Sequence, residues 1–207
     1  MQAACGLLCH RYGEVMPKSR ARKSVRNPDQ TRERLLDAAE AEFNGPGFFD
    51  TDSNRIARAA GYAPQTFYRH FEDKTAIFLA VYDRWWRSEG AAIAETRAKG
   101  KASLADIADI VIAFHTRWRN FRRALRHLAI VDDRVRAARA EARLAQLASL
   151  PKRPGQTEAA RAAALLRLER VSDAVAEGEF TDMGLTHAAA KAAVVEALRD
   201  THGPSAR

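Results

Sequence analysis

Residues 51–74, TDSNRIARAAGYAPQTFYRHFEDK, constrain this chain more than any other stretch, because their apolar spacing fits two short helices joined by a tight glycine corner. Ile56 and the small Ala57 can bury under a crossing helix, and Ala60 ends that stripe. Gly61 follows where the chain must turn left-handed, a conformation that a Cβ strongly disfavours. Pro64 suits the first turn of the next helix, where its missing N–H would have had no partner. Tyr62, Phe67 and Phe71 anchor this second helix and leave Gln65, Thr66 and Arg69 facing outward, with Tyr68 and His70 beside them. Such a face can bond bases or phosphates, so the spacing predicts a DNA-reading helix-turn-helix. An ordinary αα-corner would need the same anchors, and only the outward polar face and flanking charge weigh against it.

A wider set of residues carries a resemblance: Thr31-Arg32-Glu33-Arg34-Leu35-Leu36-Asp37-Ala38-Ala39, Phe43, Gly47-Phe48, Thr51, Gly61, Thr66-Phe67-Tyr68, His70-Phe71 and Lys74. Together they resemble the one-component bacterial regulators of the tetracycline-repressor (TetR/AcrR) type. The resemblance runs from Thr31 to Lys74; beyond it the chain matches only in helical character. It implies an all-α fold, in which an N-terminal three-helix reading head joins a larger helical ligand-binding and dimerisation domain. It also implies a homodimeric repressor on a palindromic double-stranded DNA operator, released by a small-molecule effector, with the fourth helix moving the heads. By motif position the base contacts would be Asn54, Pro64, Gln65, Thr66 and Arg69, and the phosphate contacts Thr51, Tyr68, His70 and Lys74. Gln65 suits a bidentate adenine contact and Pro64 a thymine methyl. Asp52 fits beside phosphate only as a helix cap. This chain departs from the family at Ser53, usually apolar, at Ala63, where a Ser cap is common, and at Gln65, where Gly or Pro is frequent.

A chain of 207 residues can bury a substantial core without disulfides. Its two cysteines, Cys5 and Cys9, stand beside His10, but no second pair of ligands completes a tetrahedral site, so neither metal nor cofactor is expected. The formal charge of +8 favours a polyanionic partner. No run approaches the roughly 18 to 20 apolar residues that span a bilayer, and Ala3 to Cys9 lacks the basic flank of a signal peptide. A bacterial cytoplasmic, nucleoid-associated protein without a membrane partner is therefore expected. Met16-Pro17-Lys18 offers an alternative start, which would make residues 1–15 an upstream extension.

The expected organisation has four parts. Residues 1–28 form a disordered extension ending in a basic arm, where Arg22, Lys23 and Arg26 are candidates for phosphate or minor-groove contact. Residues 29–73 form the head, in which Leu35, Leu36, Ala39 and Phe43 are the inward stripe of the first helix. Residues 74–202 form the regulatory domain, opening with a long helix on which Ile77, Phe78, Val81, Tyr82 and Trp85 make an apolar band. Residues 203–207 are a disordered tail. Within the body, Trp85, Phe114, His115, Trp118, Phe121 and His127 are candidates for an effector pocket, and an aromatic core explains them equally well. Arginines 117, 119, 122, 123 and 126 suit either an acidic effector or a solvated helix face. Two Ala-rich helices over 157–177 and 185–199 carry Leu165, Leu168, Val171, Val175, Val194, Val195 and Leu198, which would form half of a two-fold four-helix seam or else finish the monomer core. No nucleophile motif or phosphate loop supports catalysis. A ligand-independent DNA-organising protein with the same head stays open as the alternative, as does, more remotely, an all-helical enzyme.

Overall fold

Most of the long helices begin where a small polar side chain can accept from an open backbone amide. The computed structural model describes residues 28–100 and 102–202, and every regular element among the described residues is a helix. The basic-arm residues Arg22, Lys23 and Arg26, the Cys5, Cys9 and His10 group, and the tail lie outside the described residues. The head holds α1 (Pro28–Asn44), α2 (Ser53–Ala59) and α3 (Pro64–Tyr68), and α4 (Lys74–Ala98) leads out of it. The body follows with α5 (Leu104–Arg117), α6 (Arg119–Val131), α7 (Asp133–Ser149), α8 (Glu158–Glu177), the short α9 (Glu179–Asp182) and α10 (His187–His202).

Asp52 caps α2 by accepting from the Arg55 amide at 2.7 Å, and Asp73 caps α4 through the Ala76 amide at 2.7 Å. Ser103 and Asp106 form a reciprocal capping box on α5, while Asp132 and Thr157 cap α7 and α8. Gly61 takes φ +80°, which lets α3 leave the corner, and Gly178 ends α8 in the same region at +85°. The chain breaks between α5 and α6 at Trp118. That residue leaves helical geometry at φ −102° and ψ 20°, yet its indole is buried.

Two apolar cores result. The first runs from the head into the body: Phe43 of α1 meets Phe78 of α4 edge-on at 5.3 Å, Phe78 stacks on Phe121 of α6 at 4.4 Å, and Trp118 abuts Phe121 at 5.5 Å. The second joins α5, α8 and α10 through Ile107, Val111, Leu168, Val194 and Leu198. Polar ties reinforce the head–body junction: the Asn120 amide donates to the carbonyls of Asn44 and Gly45, and Arg134 pairs with Asp73 at 2.8 Å.

Candidate functional site

On α3, Phe67 is fully buried while Gln65, Tyr68 and Arg69 are exposed and Pro64, Thr66 and His70 are half-buried. Asn54 is exposed near the start of α2. One inward ring therefore holds a short helix whose other sides keep amide, phenol and guanidinium groups in water. Asp52, an acid that would repel phosphate, is tied to its own helix as a cap.

Two of the expected phosphate contacts are engaged elsewhere. Lys74 donates to the carbonyls of Phe48 at 2.7 Å and Thr51 at 2.8 Å, and its ammonium stands 4.1 Å above the Phe48 ring. Burial lowers its pKa, against the attraction of Asp52 and Asp50. Thr51 is 6% exposed, and its hydroxyl donates to Glu42 at 2.8 Å. Glu42 also pairs with Arg55 at 2.7 Å. These side chains pin the loop before α2 instead of pointing at solvent. The sequence pattern showed neither the Glu42 tie nor the exposed Arg58 on α2, which adds a cation to the head.

The body encloses a cavity of about 230 Å³ between α4, α5, α7, α8 and α10. Trp85, Trp86, Glu89 and Ile93 line it from α4, His115 from α5, and Leu165, Leu168 and Leu198 from α8 and α10. Beneath this lining lies a buried ionic network. Asp173 accepts from Arg122 Nε at 2.5 Å and sits 2.9 Å from His115 Nδ1. Burial alone would raise Asp173, but the His115 hydrogen bond and the Arg122 charge hold its carboxyl far below the usual range. Since a carboxylate only accepts, the His115 proton belongs on Nδ1. Burial, helped by Arg122, pushes the His115 pKa down to about 4. Burial lifts Glu89 to about 7 despite the opposing charge of Arg122. Glu169 takes Arg139 at 3.2 Å and Arg143 at 2.5 Å.

Of the six expected pocket residues, Trp85 and His115 line this cavity. Trp118 and Phe121 are buried in the core shared with the head, and Phe114 packs against that core, because the break at Trp118 turns α6 towards α1 and α4. His127 is exposed beside Phe49, at 5.2 Å between rings. The arginine run divides as well: Arg122 is buried on Asp173, Arg126 reaches Asp173 and Glu177, and Arg117, Arg119 and Arg123 are exposed. The stripe offered for a seam or for the monomer core packs within the chain. Leu165, Leu168, Val194 and Leu198 are buried within the one chain, and Val171, Val175 and Val195 pack against the α5–α8–α10 core. This stripe faces inward because α5 lies across it. The residues that gather at and beneath the cavity, Glu89, Arg122, Glu169 and Asp173, come from three helices and share no local motif.

The sequence model of "Bacterial regulatory proteins, tetR family" matches residues 35–81. The HTH-type transcriptional regulator Rv1255c of Mycobacterium tuberculosis is 34% identical over 88 residues, 42% of this chain and 39% of that protein. The HTH-type transcriptional regulator AcrR of Shigella flexneri is 35% identical over 63 residues, 30% of this chain and 29% of its own. The chain thus spans well under half the length of these relatives. In structure the likeness is wider: a TetR-family transcriptional regulator from a Rhodococcus species superimposes with a TM-score of 0.63 over 84% of this chain and all of its own, at 14% identity. No helix of the described residues is long and apolar enough to cross a membrane. Residues 35–81 thus match the tetR family of bacterial regulatory proteins, and the all-helical chain shares its overall fold with a solved regulator of that family.

Proposed function

We propose that this protein is a homodimeric repressor that reads a palindromic operator and leaves it when a small molecule fills the body cavity. The observation that carries this reading is α4, one helix that begins against the head at Lys74 and carries Trp85 and Glu89 on the cavity wall. A ligand there acts on the element that aims the head. Asn54, Pro64, Gln65, Thr66 and Arg69 are proposed to read bases, and Tyr68 and His70 to set register on phosphate. Thr51 and Lys74 support that face by holding the loop beneath it. The Arg22, Lys23 and Arg26 arm supplies further phosphate contact.

A five-residue reading helix covers few base pairs, so two copies must act together. The dimer is proposed to use the outer faces of α8 and α10, where Ala159, Ala163 and Ala192 are exposed with Leu166, 47% exposed, among them. A two-fold protein should engage half-sites whose centres lie about 34 to 36 Å apart. Footprinting on genomic fragments tests the reading: a discrete two-fold site is expected, and broad unphased protection would support a DNA-organising protein instead. Coupling between sites is typically about 1 to 3 kcal/mol, so ligand should weaken operator binding roughly 5- to 150-fold, and operator should weaken ligand by the same factor.

A further inference from the structure

We infer that the cavity takes an organic ammonium, a protonated amine on an apolar body, held between the Glu89 carboxylate and the facing His115 ring nitrogen. The inference rests on the cavity being the effector site, and it adds the chemistry of the ligand. Glu89 is 8% exposed, and its Oε1 has no hydrogen-bond partner. A buried carboxylate is costly to leave unmatched.

The buried and half-buried arginines nearby, Arg122, Arg139 and Arg143, are already matched to other acids, and Arg97, which also lines the cavity, is exposed. Arg122 grips Asp173 through two nitrogens, at 2.5 and 3.2 Å, and Arg139 and Arg143 share Glu169. Glu89 is left facing His115 Nε2 at 3.6 Å. Because the His115 proton sits on Nδ1 towards Asp173, Nε2 presents a lone pair. When Glu89 is ionised, two acceptors thus oppose each other with no donor between them. An ammonium supplies both the missing donors and the missing charge, whereas a neutral hydroxyl supplies a donor alone and an anion meets Glu89 with like charge.

The walls fit the rest of such a molecule. Trp85 and Trp86 bring aromatic surface, and Ile93 and Leu168 bring aliphatic surface. Trp85 Nε1, one turn before Glu89 on the same face of α4, is a buried donor without an acceptor. It suits an oxygen on the body of the amine.

Calorimetric titration of the full chain with 4-phenylbutylamine, 4-phenylbutanol and 4-phenylbutyrate tests the assignment, since the three share one body and differ in charge. At about pH 8 the amine is protonated and Glu89 largely ionised. The amine should bind at least about ten-fold tighter than the alcohol, the factor expected of a charge-assisted bond, and the butyrate weakest. In Glu89→Gln, which keeps the side-chain shape, amine and alcohol should become equal with the alcohol unchanged. Tightest binding of the butyrate, no binding by any of the three, or an amine advantage that survives in Glu89→Gln would overturn the assignment. An amine that binds through Glu89 yet leaves the protein–operator complex intact would sink the release step of the proposed function and leave this assignment standing.

Discussion

Lys74 Nζ donates to the Phe48 carbonyl at 2.7 Å while standing 4.1 Å above the ring of the same residue, so one side chain ties the start of α4 to the loop that leads into α2. Replacing it with Met keeps the stem and leaves two carbonyls without their donor. Lys74→Met should destabilise the fold by about 1 to 3 kcal/mol and weaken binding to all DNA sequences through loss of head geometry. Chemical denaturation checks it. Unchanged stability with a salt slope flatter by about one unit would return Lys74 to a phosphate contact.

Gln65 is exposed on α3 and has the two-pronged amide that adenine recognition needs. Gln65→Ala should relax preference at one base pair in each half-site, costing about 1 to 3 kcal/mol there and leaving other positions alone. Selection from a randomised operator library measures this position by position. Uniform loss across the site would move the reading role to a neighbour.

The Glu89 and His115 pair predicts an unusual pH profile. Burial lifts Glu89 to about 7, so between its ordinary 4.5 and about 7 the folded chain holds a proton that the unfolded chain has released, and stability falls as pH rises. Burial lowers His115 to about 4, so between about 4 and its ordinary 6.5 the unfolded chain holds the extra proton, and stability rises with pH. Each effect is about 3 kcal/mol, and across their shared window they oppose one another. Glu89→Gln should unmask the histidine: its urea midpoint should climb from about pH 4 to 6.5 more steeply than that of the parent. Parallel profiles would show that the two groups do not titrate as described. Asp173, held low by His115 and Arg122 against its own burial, adds stability that is present above 3.8 and lost as pH falls further.

Neighbouring leucines on α8 separate core from proposed interface. Leu168 is 8% exposed on the cavity wall, and Leu168→Glu should cost several kcal/mol, on the order of 3 or more, by burying a charge. Leu166→Glu should leave the melting temperature of the subunit nearly unchanged and yield monomers with little operator affinity. Sedimentation and thermal melts on both variants decide it. A dimer that survives Leu166→Glu places the interface on another face.

Punctuation and spacing in the chain determined the elements. Gly61, Pro64, Asp73 and Ser103 act on backbone within a few residues of themselves, so the helix-turn-helix, the long α4 and the all-helical character were legible without coordinates. Ala-rich helices near 157–177 and 185–199 were legible for the same reason, though not the side that each would bury. The tertiary structure decided that side: α5 covers the leucine and valine stripe, so residues that could have met a second copy close the cavity and the monomer core instead. It also decided the partners of every buried charge, since Lys74 finds Phe48 26 positions away, Arg122 finds Asp173 at 51 and His115 finds Asp173 at 58. Periodicity reports which side of a helix is apolar, but not which helix will lie against it, and a charged residue in such a pattern looks the same whether it ends in water or beneath a cavity.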